Sequence, residues 1–273
     1  MSQTIESIHT DFENDGYAVA RGLFTADEVG EIRETFMEEG KNGPVEGLSD
    51  MFRGKFAPGD PLSFYPRMMH PHRHPNKPIG QVALRYMLHP KIYEPLKRLM
   101  NDEPAAAQSM FYFKPAGARG QELHQDNFYL RVAPDTCYAM WLAIDDADEE
   151  NGTMMVVPGT HNMDIVCPEK ADPTLSFSDA YVAPPSGKEP VLVPLQAGDV
   201  LFFNGSLIHG SRPNRSQDRF RRAFICHYLP ASSVELSRWY TEPLLFDGSQ
   251  TAFADAVGGG PCGAPTIEVK GPH

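Results

Sequence analysis

SMFYFKP (109–115), CYAMWLAI (137–144), TMMVVPG (153–159), EPVLVPL (189–195), DVLFF (199–203) and RAFICHYL (222–229) are short apolar runs that follow Pro104, separated by turn signals. Runs of this length and spacing read as strands. No βαβ alternation and no GxGxxG fingerprint accompanies them, which argues against a nucleotide-binding sheet and favours a sandwich or jelly roll.

Upstream of these strands the texture differs. GYAVARGLF (16–24) alternates weakly, as a strand does, and Thr25 with Glu28 has the spacing of a capping box. Residues 26–39 place Val29, Ile32 and Phe36 near helical spacing among acidic residues, predicting an amphipathic surface helix that packs on the core. From about Gly40 to Lys77 the chain is rich in Gly, Pro, Met and His without periodicity, which predicts a long ordered loop region of the kind that often carries function. Residues 81–100 read as helical, through Val82 and Tyr86 and then Ile92, Leu96 and Leu99, with a break at Pro90; Pro95 suits a helix only in its first turn. The Gly- and Pro-rich tail from Gly248 reads as irregular. Without an internal repeat or compositional linker, one domain is expected over 1–273: a helical and loop region (1–104), a β core (about 105–230) and the tail.

Composition narrows the class. The chain has 273 residues, 41% of them apolar and 22% charged, as in ordinary globular proteins. A net charge of −12 argues against nucleic acid, because binding to phosphates needs clustered Lys and Arg. The opening MSQTIESIHTDFENDGY has neither a basic n-region nor an apolar h-region, and no later stretch is long and apolar enough for a membrane span. Cys137, Cys167, Cys226 and Cys262 are widely spaced, so reduced thiols and a cytoplasmic setting are expected. Nothing in the sequence addresses the oligomeric state.

The sharpest local feature is His124-Gln125-Asp126. On an extended backbone, residues two apart project to one face, so an imidazole and a carboxylate can converge on one ion. His209, directly after the strand-like DVLFFNGSLI, supplies a third donor. Two histidines and one carboxylate suit non-haem Fe(II), with zinc as the chemical competitor.

The sequence around these residues resembles the phytanoyl-CoA dioxygenase family of Fe(II)- and 2-oxoglutarate-dependent oxygenases. The matching segments are SMFYFKP (109–115), HQD (124–126), YAMWLAIDDADEENGTMMVVPGTH (138–161), PLQAGDVLFFNGSLIHGS (194–211) and PNRSQDRFRRAF (213–224). They cover most of residues 109–228 in the family's order, whereas the loop 40–77 and the tail after Tyr228 match nothing specific. The resemblance implies a mainly β fold with flanking α-helices, built on a double-stranded β-helix (jelly-roll, cupin-like) core. It also implies Fe(II) on His124, Asp126 and His209, with 2-oxoglutarate and O2 as co-substrates.

The family places a carboxylate-binding Arg just beyond His209, where this chain carries Arg212, Arg215, Arg219, Arg221 and Arg222. A guanidinium grips a carboxylate through two parallel hydrogen bonds. Aligning FRRAF with the family's strand selects Arg221, which shares a face with 223 and 225; Arg222, pointing the other way, is the direct rival. By the same resemblance Ser211 donates to that carboxylate and Met110 and Trp141 line the co-substrate pocket, although strand Met and Trp residues also fill cores. Gln125 is expected to face away from the metal, and His161 to be structural. His70, His72 and His74 read as a polar loop near the cavity mouth, with a second metal site as the alternative, and Arg73 or Lys77 could reach the substrate.

The resulting expectation is a dioxygenase acting on a small organic molecule with release of succinate and CO2. Because Asp126 is present, hydroxylation is favoured over halogenation. The rival from another class is a non-catalytic jelly-roll protein that binds a metal or a small acid.

Overall fold

The computed structural model describes residues 5–50, 56, 59–257 and 262. Its helices are α1 (Ile5–Asp15), α2 (Ala26–Gly40), α3 (Pro78–Met87), α4 (Pro90–Met100) and the single turn α5 (Asn127–Leu130). The strands, in chain order, are β1 (Tyr17–Ala20), β2 (Met68–Met69), β3 (Pro104–Tyr112), β4 (Gln121–His124), β5 (Tyr138–Ala143), β6 (Met154–Val156), β7 (Glu169–Lys170), β8 (Ala180–Tyr181), β9 (Val191–Val193), β10 (Val200–Asn204), β11 (His209–Ser211), β12 (Ala223–Pro230), β13 (Glu235–Leu236), β14 (Leu244–Leu245) and β15 (Ala254–Asp255).

Two antiparallel sheets carry the architecture. The larger runs β1-β10-β5-β12-β3-β14, with β2 also on β3, and the smaller runs β4-β11-β6-β9. This is the double-stranded β-helix, a jelly roll with helices on its outer side. Strand alternation divides the apolar residues between two cores. Residues such as Phe111, Met140, Phe202 and Phe224 face outward and pack with Ile32, Phe36, Ile79, Ile92 and Leu96 of α2, α3 and α4. Their neighbours Met110, Trp141, Leu201 and Ile225 point inward, toward Met154 and Val156 of the smaller sheet.

Several local expectations are met, and the differences are instructive. The capping box at the start of α2 is present in both directions, the Glu28 carboxylate accepting from Thr25 N at 2.7 Å and the Thr25 hydroxyl from Glu28 N at 3.3 Å. The helix break falls at Pro90, yet α4 continues through Pro95, beyond its first turn. Burial of Ile92, Pro95, Leu96 and Leu99 outweighs the one hydrogen bond that proline removes. Helix α1 was not evident from the sequence because its buried stripe is only Ile8 and Phe12 on an otherwise polar segment. The region 40–77 holds two short 3-10 turns, Pro61–Ser63 before β2 and Pro71–Arg73 after it; residues 51–55, 57 and 58 lie outside the described residues. In the tail, β15 pairs in parallel with β13. The expectation of four reduced thiols is corrected: Cys167 and Cys262 form a disulfide across 95 residues, because their Cα atoms lie 5.0 Å apart in the fold. Cys137 and Cys226 are free and buried. Among the described residues no helix is long and apolar enough to cross a membrane.

Phe36 joins α2 to the large sheet, its ring stacked 4.2 Å from that of Phe111, with no exposure. Phe36→Ala should lower the unfolding free energy by about 3–5 kcal/mol, read from the denaturant midpoint in urea.

Candidate metal centre

The site begins where β4 and β11 run side by side, with His209 paired directly to His124. Close approach of these strands requires glycine. A Cβ on Gly210 would meet the Gln121 carbonyl oxygen at 2.7 Å, and one on Gly120 would meet that of Ser211 at 2.1 Å. The two imidazole rings come to 4.3 Å. Asp126 arrives by a different route from the expected strand: β4 stops at His124, and Asp126 has helical backbone angles (φ −65°, ψ −36°) at the start of α5. The chain turns, and the turn swings the carboxylate round to the histidines.

Asp126 Oδ1 lies 3.4 Å from His124 Nε2 and 3.5 Å from His209 Nε2. These three are the group among the described residues whose donor atoms fall within 4.8 Å of one another, and all three are buried. Each histidine uses its other nitrogen structurally. His124 Nδ1 donates to the Glu122 carbonyl at 2.7 Å and His209 Nδ1 to that of Leu207 at 2.9 Å, so both Nε2 lone pairs face Asp126. The Gln121 amide donates to the same His124 Nε2 at 3.0 Å. Burial, with His209 alongside, pushes the His124 pKa below its usual range and keeps the ring in the neutral form that ligates. Gln125 faces away, as expected: its amide donates to Ser206 O at 2.7 Å and accepts from Val166 N at 2.8 Å.

His124, Asp126, His209, Ser211, Arg221, Met110 and Trp141 all line one cavity of about 390 Å³. Tyr112, Phe203 and Ile225 complete much of its wall. Arg221 is 3% exposed, donates from Nε to the Gly152 carbonyl at 3.2 Å, and stacks on Trp141 at 5.1 Å. Burial lowers its pKa to about 10, and among the described residues no carboxylate stands within ion-pair distance of it. Arg222 turns to the opposite side and binds Asp145 through two hydrogen bonds of 2.7 and 2.8 Å. Arg212 and Arg219 pair with Glu149 and with Asp148 and Glu150.

Three residues in or beside the cavity were not singled out from the sequence. His227 donates from Nε2 to Asp126 Oδ2 at 2.8 Å; continuing the face shared by 221, 223 and 225 for one more step would have found it. Lys114, within the quoted SMFYFKP, is buried, and its ammonium reaches Ser211 Oγ (3.1 Å), Gly152 O (2.9 Å) and Arg212 O. Burial, together with Arg221, pushes its pKa well below the usual lysine range. Arg67, from the loop that matched nothing, bonds the Tyr112 hydroxyl at 2.6 Å and Asp50 at 2.8 Å. It also lines an adjacent cavity of about 490 Å³ that shares Tyr112 and Arg221 with the first.

The basic residues suggested for substrate contact are engaged elsewhere, Arg73 with the Thr241 carbonyl and Lys77 with Glu39. His72 bonds Ser109 Oγ at 2.7 Å. His70, His72 and His74 do not gather as metal donors. His161 bonds Asn162 and lies outside the cavity lining.

Comparison with known proteins agrees with this geometry. A rice protein, Phytanoyl-CoA dioxygenase 1 from Oryza sativa subsp. japonica, is 34% identical over 140 residues, a match that spans 50% of this chain and 48% of that protein. The mouse Phytanoyl-CoA dioxygenase domain-containing protein 1 is 27% identical over 265 residues, covering 82% of this chain and 89% of that one. Among solved structures, the epimerase SnoN, in complex with Fe3+, alpha ketoglutarate and nogalamycin RO, shares the fold with a TM-score of 0.65 at 21% identity, over 84% of this chain and 85% of that chain. The family profile described as Phytanoyl-CoA dioxygenase (PhyH) matches residues 12–223, and with it the chain belongs to the phytanoyl-CoA dioxygenase family.

Proposed function

We propose that the protein is an Fe(II)- and 2-oxoglutarate-dependent dioxygenase that hydroxylates a small organic molecule and releases succinate and CO2. The observation that carries this reading is one cavity with a two-histidine, one-carboxylate donor set and a buried guanidinium that, among the described residues, has no carboxylate within ion-pair distance. A metal with open positions suits the first, and a dicarboxylic keto acid that also meets the metal suits the second.

In this reading His124, Asp126 and His209 hold the ion. Arg221 fixes the distal carboxylate of 2-oxoglutarate, and Ser211, held by Lys114, adds a second contact. Tyr112, tied to Arg67, fixes the neighbouring wall. Met110, Trp141, Phe203 and Ile225 exclude water from the reacting region. When bound, iron and 2-oxoglutarate supply an O2-dependent oxidation of a nearby C–H bond coupled to decarboxylation of the keto acid. Asp126 occupies the position that a halide would need, which favours hydroxyl transfer over halogenation. SnoN, an epimerase on the same fold, is an instance of a different outcome.

Anaerobic addition of Fe(II) and 2-oxoglutarate to the protein should produce a weak visible charge-transfer band, and Asp126→Ala should abolish both the band and succinate formation. No band in the wild type, with tight zinc binding instead, overturns the oxygenase reading. Arg221→Ala should raise the 2-oxoglutarate concentration needed for half-maximal succinate release by roughly 30-fold or more, since truncating one side of a buried charge pair costs about 2–5 kcal/mol. Arg222→Ala should leave that requirement unchanged while lowering stability by about 1–3 kcal/mol through loss of the Asp145 pair.

A further inference from the structure

His227 stands on β12, the strand between β5 and β3, directly opposite Ala139 and Gln108. It is 1% exposed, as is Asp126. Its Nε2 lies 2.8 Å from Asp126 Oδ2. A carboxylate only accepts, so this nitrogen carries the proton. The two oxygens of Asp126 are therefore unlike. Oδ1 faces the two histidine donors at 3.4 and 3.5 Å, while Oδ2 is engaged by a residue anchored in the large sheet.

We propose that His227 is a positioning residue that keeps Asp126 a one-oxygen ligand and thereby reserves one coordination position beyond the two that a keto acid occupies. The inference rests on the metal reading above. With two imidazoles and one carboxylate oxygen from the protein, a six-coordinate ion would have three further positions. A keto acid that chelates would take two of them, and dioxygen would need the third. A carboxylate turned so that both oxygens reach the ion would close that third position. Rotation of the Asp126 carboxylate in that direction takes Oδ2 away from His227, in a buried setting where the lost charge-assisted hydrogen bond has no solvent replacement. His227 thus acts through Asp126.

The test uses the full chain loaded with Mn(II), whose inner-sphere waters are counted from water-proton relaxation. The wild type should show three waters, falling to one when 2-oxoglutarate is added. His227→Phe, which preserves bulk and removes the donor, should show two, falling to none, with Mn(II) affinity within about threefold of wild type. His227→Gln, which retains a donor, should keep the wild-type counts. A residue that merely supported the fold would weaken metal binding on substitution without removing a water. Equal counts in the wild type and His227→Phe overturn the inference and leave the function intact, as does loss of one water in His227→Gln. A wild-type protein that binds no Mn(II) in this site overturns both.

Discussion

The antiparallel contact between β4 and β11 is the constraint on which the site depends. It sets His124 against His209, and the two glycines that allow it, Gly120 and Gly210, leave no room for a side chain between the strands. Each imidazole is then oriented by a carbonyl of its own strand end, Glu122 for one and Leu207 for the other. The donors are fixed by backbone geometry before any ion is considered, so binding requires little reorganisation.

Charge is distributed in keeping with that arrangement. Arg212, Arg219 and Arg222 are each matched by an acid, whereas the side chain of Arg221, the buried member of the cluster, meets a carbonyl and an indole face and, among the described residues, no acid within ion-pair distance. Burying a guanidinium without a counter-charge is costly, and the depressed pKa of Arg221 records that cost. Such a group is well suited to an anionic ligand, since the desolvation has already taken place when the ligand arrives. Lys114 adds a second buried amine nearby, but it is turned toward carbonyls and Ser211 and so serves to shape the wall.

Much of this was legible in the sequence because it depends on local rules. Strand alternation separates Arg221 from Arg222, and the inward row Met110, Trp141 and Ile225 follows from the same parity. What was not legible depends on backbone turns and on long-range contact. Asp126 reaches the histidines through a helical turn, so the parity argument for HxD led to the right grouping by the wrong path. Arg67 lies in an aperiodic segment and acquires its place only when β2 docks on β3. The Cys167–Cys262 bridge joins residues 95 apart, a proximity that spacing along the chain cannot reveal. Helix α1, with two buried side chains, falls below the level at which periodicity can be read.

The order of the large sheet also bears on how the chain reaches its folded form. β12 lies between β5 and β3, and β10 lies between β1 and β5, so each of these late segments inserts between two strands that are synthesised earlier. Until residues 223–230 are available, β3 and β5 each present an unpaired edge, the kind that recruits other chains. Helices α2, α3 and α4 shield the outer apolar face but not these edges. Completion of the large sheet therefore waits on the C-terminal third, and a nascent chain that stops short of β12 holds His124, Asp126 and His209 yet lacks the strand that brings in both His227 and the β3–β5 junction.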